Sequence, residues 1–258
     1  MKVNDFLKML MLAAEVKSLY VMGGWGFPLN KENKDRTQKN SFNKREDRKK
    51  KIYAASDDTF AFDCCGLVKA ILWGWNGDKT KRNGGAVYAS NGVNDYDAKE
   101  LMFKGCSVQS KDFSNIVAGE LLWLDGHCGV YLGNGLAIES TTKWNDKVQI
   151  TAVANIGSKP GYNSRTWTYH GKLKYVDYSG VTPEPTPADY KVGEIYTVKC
   201  KGPLRVRSGS DTDKTILSNL YKGDKVLVKD VVKDKDGNTW LNIEGYAAAK
   251  YDGEVWIE

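Results

Sequence analysis

The sequence has little of three things whose abundance would assign it to a simple class. No apolar run approaches the roughly 18 residues that a membrane-spanning helix requires. The five cysteines are odd in number and scattered, which excludes a regular disulfide framework and indicates folding in a reducing compartment. Histidine is scarce, with His127 and His170 alone, so imidazole chemistry must use one of these two residues.

The N-terminus also lacks the pattern of a cleavable export signal. Lys8 interrupts its apolar stretch, and Glu15 and Lys17 follow closely behind. The segment suits an amphipathic helix better, with Asn4 or Asp5 as the N-cap. The apolar positions of that helix are Phe6, Leu7, Leu10, Ala14 and Val16. We therefore expect synthesis in the cytoplasm without a classical signal peptide.

The positive charge of the chain is concentrated in its first 188 residues. The formal net charge is +6, and residues 189–258 carry 12 basic and 12 acidic side chains, so they are neutral. Such a field favours an anionic partner, and by itself it does not choose among a cell wall, a nucleic acid and a membrane surface. Residues 31–51 hold ten Lys or Arg against four Asp or Glu, which favours a solvated loop or helix face over a specific anion site.

A proline-rich stretch predicts a boundary between two domains. Pro183, Pro185 and Pro187 alternate with other residues, which prevents a helix and favours an extended linker over 181–188. Residues 1–180 form one predicted domain and residues 189–258 the other. In the first, a helix over 64–73 precedes the strands, an order typical of α+β architecture. The strands are predicted over 120–124, 128–132, 136–141 and 147–153, with further strand structure at Trp167 and 173–176.

A candidate nucleophile stands at the start of the predicted helix at residue 64. Asp63 can cap this helix through its carboxylate, which puts Cys64 in the first turn. Exposed backbone N–H groups and the helix dipole there favour a thiolate and can hold an oxyanion. The alternative is that Cys64 and Cys65 are small buried residues, the commonest state of free cysteine.

The Gly133-Asn134-Gly135 sequence predicts a β-hairpin between two runs of alternating apolar residues. The apolar sets share one face if Val130 pairs with Ile138 and Leu132 with Leu136. That register predicts a three-residue loop over 133–135, because a two-residue loop would put the two sets on opposite faces.

In this register the hairpin brings a histidine and a carboxylate together on its other face. His127 and Glu139 become diagonal neighbours, and Gly129 leaves room between them. A carboxylate in contact with an imidazole fixes its tautomer and supports its charged form, as a catalytic triad requires. His170 has no comparable hairpin partner, and we interpret it as a turn residue.

Three motifs, in this order, resemble those of the NlpC-type cysteine peptidases, a papain-like superfamily that cuts peptidoglycan stem peptides. The family's Tyr-x-x-Gly-Gly resembles residues 20–24. Its Asp-Cys-Ser-Gly-Leu resembles residues 63–67, and its His-x-Gly-[Ile/Val]-Tyr-[Ile/Leu]-Gly-Asn-Gly strand resembles residues 127–135. The resemblance covers roughly residues 15–155.

The resemblance implies a fold and a set of roles. The fold is a papain-like catalytic domain in which N-terminal helices pack on an antiparallel sheet. Cys64 is then the nucleophile, His127 the general base and Glu139 the third polar residue, and Tyr20 lies near the nucleophile and helps the oxyanion site. No metal or cofactor is implied.

Three departures from the family pattern stand beside these roles. Cys65 replaces the usual Ser and leaves a second thiol beside the first. The interval from Gly24 to Asp63 is longer than usual, which implies an inserted segment. The third residue is Glu139, where His, Asn or Gln is more usual, and this affects the expected pH behaviour more than the mechanism.

The C-terminal part is similar to bacterial SH3-like domains, which commonly bind wall peptides. Leu-Arg-Val-Arg-Ser-Gly at 204–209 matches their Leu-Asn-Val-Arg-Ser-Gly signature, with Arg205 in place of Asn. About five short strands with regular turns suit a small all-β barrel. The alternative is a spacer module without a ligand, because a fold alone does not establish a function.

These features predict a cysteine endopeptidase that cuts peptidoglycan stem peptides. We expect an endolysin-like enzyme that acts at the wall after release, with no nucleic-acid partner and no stable membrane association. Three alternatives remain. The same triad would also suit an N-acetylmuramoyl-L-alanine amidase, and both domains could instead bind the wall without catalysis. A metal site from Cys64, Cys65, His127 and Cys128 is disfavoured, because adjacent ligand pairs lack the usual spacing.

Overall fold

The chain divides into two compact units, Met1–Glu184 and Pro185–Glu258. The computed structural model describes residues 1–179, 190–200, 202–234, 238–243, 246–251, 254–255 and 257. The division falls within the predicted linker 181–188, whose residues lie outside the described ones. The described residues combine helices with several sheets, so the chain is α+β.

Among the described residues, the helices and most of the strands lie in the N-terminal unit. Its helices are α1 (Val3–Glu15), α2 (Lys31–Thr37), α3 (Glu46–Ala54), α4 (Cys64–Leu72) and α5 (Ala98–Phe103), with a 3₁₀ turn at Phe113–Asn115. Its strands are β1 (Ser18–Tyr20), β2 (Trp25–Pro28), β3 (Phe60–Phe62), β4 (Cys106–Ser110), β5 (Leu121–Leu124), β6 (His127–Gly133), β7 (Leu136–Thr141), β8 (Lys147–Val153), β9 (Ser164–Arg165) and β10 (Tyr169–Leu173).

A seven-stranded sheet organises this unit, with strand order β4-β10-β5-β6-β7-β8-β9. The pairings are antiparallel except for β8 with β9, which is parallel. Helices α1 and α4 bury Phe6, Leu10, Leu67 and Ile71 in one apolar core with strand residues such as Val130. Residues of the helix that begins with Cys64 and of the strand that begins with His127 thus share one core.

The N-terminal unit also has a smaller, three-stranded sheet, and a close approach of two glycines connects it to the start of α4. Strands β1, β3 and β2 form this three-stranded sheet, and β3 leads directly into α4. A Cβ atom on Gly66 would lie 1.7 Å from the carbonyl oxygen of Gly24, so only glycine fits there. The segments 20–24 and 63–67 are therefore in direct backbone contact.

Helix α1 begins earlier than the capping pattern predicts. Its N-cap is Lys2, and no side chain caps it, so the prediction of Asn4 or Asp5 as the cap is wrong. The backbone supplies a partner instead, because the Val3 N–H donates to the Asp177 carbonyl. Lys2 and Asp177 also form a parallel bridge, so the two ends of the N-terminal unit lie side by side.

The basic segment 31–51 is not simply a solvated surface. It forms α2, the connection to α3 and most of α3, and Arg48 within it is 3% exposed. The Arg48 guanidinium donates to the Asp146 carboxylate and to the Tyr20 carbonyl. Asp146 has a φ of 56°, a left-handed conformation uncommon for a residue other than glycine. Segment 31–51 thus holds the backbone at Tyr20 through Arg48.

The hairpin pairing is partly as predicted. Val130 pairs with Ile138, as the apolar pattern requires. Leu136, however, pairs with Gly133 rather than with Leu132. The pairing near the candidate site is therefore confirmed, and the pairing near the loop is wrong.

A β-bulge explains this difference. The loop is two residues long, with φ of 52° at Asn134 and 70° at Gly135, as a tight hairpin turn requires. The extra residue, Leu132, is taken up by a register shift between Tyr131 and Gly133. The bulge reverses the change of face that a two-residue loop would otherwise cause, so the apolar residues nearer the site share one face.

Several elements depart from the sequence-based interpretation. Residues 76–118, which showed no clear pattern, contain α5, β4 and the 3₁₀ turn. The predicted strand over 173–176 is displaced to β10, and Trp167 lies outside the strands. Strands β7 and β8 have the predicted bounds. β5 is one residue shorter than predicted at its start, and β6 is one residue longer at each end.

The described part of the C-terminal unit is built from strands. They are β11 (Ile195–Thr197), β12 (Leu204–Arg207), β13 (Ile216–Leu220), β14 (Lys225–Leu227), β15 (Asp230–Lys233), β16 (Thr239–Asn242), β17 (Tyr246–Tyr251) and β18 (Glu254–Val255). β11 pairs with β14, and the others form a sheet of order β13-β12-β17-β16-β15, with β18 on β17. Val198, Leu204, Val228 and Leu241 are central to its core. The SH3-like assignment of this unit stays a prediction.

Among the described residues, no helix combines the length and the apolar character needed to cross a bilayer.

We predict that Gly66→Ala destabilises the N-terminal unit. Alanine has the higher helix propensity, by about 1 kcal/mol. The clash with the Gly24 carbonyl outweighs this gain, because backbone cannot move aside as a side chain can. We expect a net loss of at least about 2 kcal/mol in the free energy of unfolding, measured by urea denaturation.

Gly202→Ala is the control, because a Cβ at Gly202 meets no atom within 4 Å. Its free energy of unfolding should change little. A Gly66→Ala chain as stable as the wild type would contradict the close approach.

Candidate active site

The Asp63 carboxylate holds the start of α4 against the loop that follows β1. One oxygen accepts the Gly66 N–H at 2.6 Å, as an N-cap does, and the other accepts the Gly23 N–H at 2.7 Å. Burial and then the neighbouring Cys64 charge raise the pKa of Asp63 to about 6, against the two N–H donors that lower it. Cys64 follows directly as the first residue of the helix, where the helix dipole stabilises negative charge.

The surroundings of Cys64 favour its thiolate. Hydrogen bonds from the thiols of Cys128 and Cys65 lower the pKa of Cys64 most, burial opposes them, and the hydrogen bond with His127 lowers the pKa further. The pKa of Cys64 therefore lies far below the usual range of a thiol. Cys64 is 8% exposed, so its sulfur is nearly enclosed.

His127 begins β6 and is held by the buried Glu139. Its Nε2 lies 2.7 Å from Oε2 of Glu139, which is 0% exposed. A Cβ on Gly129 would lie 3.3 Å from the Glu139 Cβ, so this glycine leaves the room that the hairpin model predicts. With Nε2 engaged, Nδ1 is the ring nitrogen that remains for the hydrogen bond with Cys64.

Burial alone would lower the pKa of His127, but its hydrogen bonds with Cys64 and Glu139 raise it overall. Burial alone would raise the pKa of Glu139, but hydrogen bonds from His127 and Arg165 lower it overall. Both shifts favour the charged forms. The geometry therefore supports a thiolate–imidazolium pair backed by a carboxylate.

Glu139 has two further partners that the sequence did not suggest. The Thr151 hydroxyl donates to Oε1 at 2.7 Å. Arg165 donates to Oε1 through Nε at 3.0 Å, and its Nη2 lies 2.8 Å from Oε2. A buried carboxylate needs such compensation, because desolvation penalises an isolated charge heavily. From Cys64 through His127 and Glu139 to Arg165, the four charges alternate in sign.

Trp167 covers one face of the His127 imidazole. The two rings are 5.6 Å apart and nearly parallel, with 12° between their planes. The Trp167 ring also faces the Arg165 guanidinium at 5.6 Å. The stacked ring limits rotation of His127 and keeps water from that face.

Tyr20 lies near the cysteines, as the motif resemblance implies. Burial raises the pKa of its phenol first, and the negative charges of Cys64 and Asp63 raise it further. Tyr20 therefore stays a neutral O–H donor at the pH where Cys64 is a thiolate. Its ring is packed edge-on against Phe42 of the inserted segment.

His170 is not a turn residue, and that interpretation is wrong. It lies in β10, is 3% exposed, and pairs through Nδ1 with the buried carboxylate of Glu120. Its Nε2 faces the Asp112 carbonyl at 2.8 Å. Both ring nitrogens are thus engaged in structural contacts, and His127 is the histidine that meets Cys64.

The structure therefore brings Cys64, His127, Glu139 and Tyr20 together. Arg165, Trp167 and Thr151 are the residues that sequence reasoning missed at this site. Thr151 lies within β8, two residues before its end, and Arg165 lies in the short β9 that pairs with β8. A two-residue strand leaves no periodic signal, so no local pattern identified Arg165.

Comparison with known proteins adds little. No family model and no curated protein matches the chain. Two solved structures resemble it, described as "The crystal structure of Ly7917" and "The crystal structure of Ly7917 with the hydrolyzing product of MDP". Each is 14% identical, with 100% of this chain and 97% of that chain covered, and the TM-score is 0.30. At that TM-score the likeness carries no argument about fold or function.

We predict that Glu139→Gln moves the onset of Cys64 alkylation to higher pH. Loss of the carboxylate lowers the pKa of His127, because the Glu139 hydrogen bond raises it in the wild type. The imidazolium then supports the thiolate less, the pKa of Cys64 rises, and alkylation begins at higher pH. The measurement is the rate of iodoacetamide alkylation at Cys64 against pH, with the labelled peptide identified by mass spectrometry.

The matched control is Glu120→Gln, which removes a buried carboxylate from the other histidine pair. Its Cys64 profile should overlay that of the wild type. If both variants shift the profile equally, the effect is general destabilisation and the role of Glu139 is wrong.

Proposed function

We propose that this protein is a peptidoglycan hydrolase of the cysteine endopeptidase type. Cys64 is the nucleophile, His127 the general base, and Glu139 the residue that orients the imidazole. The observation that carries this proposal is the continuous hydrogen-bonded chain from the Cys64 thiol through His127 to a fully buried carboxylate. This is the arrangement that activates a cysteine for attack on an amide.

The chemistry follows from these positions. The Cys64 sulfur attacks the amide carbonyl carbon, a C–S bond forms, and the carbonyl π electrons move to oxygen. The imidazolium of His127 then gives its proton to the leaving nitrogen, and the C–N bond breaks. Water attacks the resulting thioester after His127 takes a proton from it, which releases the acid and restores the thiol.

The oxyanion is stabilised by donors at the start of α4. The N–H groups of Gly66 and Leu67 are engaged by Asp63. Those of Cys64 and Cys65 have no acceptor within the helix because of their position in the first turn. They are the backbone donors that we assign to the oxyanion, and the neutral phenol of Tyr20 is the third donor.

The substrate class rests on the motifs and the charge. The tyrosine–glycine, Asp-Cys and histidine-strand motifs together resemble peptidases that act on stem peptides. The excess of positive charge lies in residues 1–188, which suits approach to an anionic wall. The C-terminal unit then acts as the wall-binding module, and no stable membrane or nucleic-acid partner is part of the proposal.

The site geometry is equally compatible with cutting the sugar–peptide amide, as an N-acetylmuramoyl-L-alanine amidase does. The two reactions differ in their products. Endopeptidase action leaves a new amino terminus within the stem peptide, and amidase action frees the whole stem from the sugar. Endolysin-like release to the wall belongs to the same proposal.

We predict that Cys64→Ala releases no soluble peptide from purified peptidoglycan, because it removes the thiol that hydrogen-bonds with His127. Mass spectrometry of the soluble fragments after incubation with each protein is the measurement. New amino termini in the wild-type fragments identify the bond cut.

Cys106→Ala is the control, since it removes another buried thiol of the same unit, away from the proposed chemistry. It should digest peptidoglycan as the wild type does. Digestion by Cys64→Ala would exclude this nucleophile. Sedimentation of wild-type protein with walls but no released fragment would indicate a wall-binding protein.

We predict that Tyr20→Phe lowers kcat by roughly 100-fold and changes KM little, as expected for loss of one oxyanion donor. The variant keeps the ring and its packing against Phe42. The measurement is steady-state hydrolysis of a soluble stem-peptide substrate. An unchanged kcat would remove Tyr20 from the oxyanion site and leave it a packing residue.

A further inference from the structure

Three sulfur atoms meet at the candidate active site, although the proposed hydrolysis uses one. The Sγ atoms of Cys64, Cys65 and Cys128 all lie within 4.8 Å of one another. Cys65 is 3.8 Å from Cys64 and 3.6 Å from Cys128, sulfur to sulfur. The thiols of Cys65 and Cys128 form no bond to the substrate in the proposed cleavage, so the meeting of three sulfurs needs a separate explanation.

The spacing of these sulfurs is that of ligands around one metal ion. A Zn–S bond is about 2.3 Å, and at the tetrahedral angle two such sulfurs stand about 3.8 Å apart. The separations at Cys65 match this value to within 0.2 Å. One ion can therefore reach all three sulfurs with little movement of the backbone.

His127 is the fourth ligand of the site proposed below. A hydrogen bond already joins it to Cys64, but its ring must move toward the other two sulfurs, because it is not part of the group of ligand atoms that lie within 4.8 Å of one another. Its Nε2 is held at 2.7 Å by Glu139. Histidines that bind zinc usually give their other ring nitrogen to a carboxylate, which fixes the ring for coordination. The Glu139 contact thus provides, independently of the sulfurs, the support that a metal-bound imidazole needs.

The fold explains how ligands that are adjacent in sequence can surround one ion. Cys64-Cys65 and His127-Cys128 are each adjacent pairs, without the spacing by which a local metal motif is recognised. One pair starts α4 and the other starts β6, and packing of this helix on this strand brings the pairs together. Convergence of two elements replaces local spacing.

We propose that Cys64, Cys65, Cys128 and His127 form a site for one soft divalent cation, of which Zn²⁺ is the physiological candidate. Thiolate and imidazole ligands select such an ion over Mg²⁺ or Ca²⁺. The ion binds the nucleophile and the base themselves, so the metal-bound chain is inactive in the proposed hydrolysis. Cys128 is fully buried and Cys64 is 8% exposed, so the ion enters from the Cys64 side.

The test is a metal titration of the full chain, without peptidoglycan. Reduced, chelator-treated protein is titrated anaerobically with Cd²⁺, whose thiolate complexes absorb in the ultraviolet, and Zn²⁺ affinity is measured by competition with a chromophoric chelator. We expect saturation at one ion per chain and no competition from Mg²⁺. Cys65→Ser and Cys128→Ser should each weaken Zn²⁺ binding by about 100-fold, because each loses one of four ligands.

Cys200→Ser, which alters the cysteine of the other unit, is the control and should bind as the wild type does. X-ray absorption of the zinc-loaded wild type covers the case in which a variant fails to fold. Three sulfurs at about 2.3 Å and one nitrogen at about 2.0 Å support the site. A shell of oxygen and nitrogen only, no thiolate absorption at one equivalent, or wild-type affinity in both Ser variants would overturn it.

These outcomes are separate from those of the proposed hydrolysis. A chain that binds Zn²⁺ through sulfur but digests no peptidoglycan contradicts the proposed function alone. A chain that digests peptidoglycan but shows no thiolate–metal absorption contradicts the metal site alone.

Discussion

The candidate site depends on one buried carboxylate and the two cations that neutralise it. Glu139 is fully enclosed, and a charge in that position is tolerated only with close partners. His127 comes from the neighbouring strand β6, and Arg165 comes from β9 at the edge of the sheet. Glu139 therefore has its charged partners when β6 to β9 assemble correctly. The same ion pairs thus stabilise the sheet and hold His127 in the candidate site.

The candidate site also depends on a backbone contact, which holds the start of the Cys64 helix against residues 20–24. Asp63 accepts from Gly23 and Gly66, and Gly66 has no room for a side chain. The 20–24 segment is in turn held by Arg48, whose guanidinium bonds the Tyr20 carbonyl. Helix α3, which carries Arg48, is therefore part of the framework of the candidate site.

The parts of the site that local sequence patterns govern could be predicted. The cap at Asp63, the helix that begins at Cys64, and the contact of His127 with Glu139 all follow from capping preference or strand alternation. What could not be predicted depends on distant pairing or on a local irregularity. Arg165 sits on a two-residue strand, and the bulge at Leu132 changes the loop length without altering the pairing of Val130.

Two predictions made from the local sequence were wrong, those for the basic segment 31–51 and for His170. The basic run 31–51 indicated solvent exposure, but Arg48 is buried because Asp146 and the Tyr20 carbonyl lie within its reach. His170 showed no partner in its neighbourhood, yet the sheet order puts β10 beside β5, and Glu120 immediately precedes β5. In both cases the side chain binds residues that are distant in sequence. No local pattern could therefore predict the contact.

The bridge between Lys2 and Asp177 has a consequence for how this unit can be joined to other chains. Because Lys2 and Asp177 lie side by side, the two ends of the described part of the unit, residues 1–179, are close together. A short connection could link those two ends at small entropic cost, and new ends could then be opened in a surface loop. The unit is therefore suited to circular permutation, and to insertion into a loop of another protein, without a change in its fold.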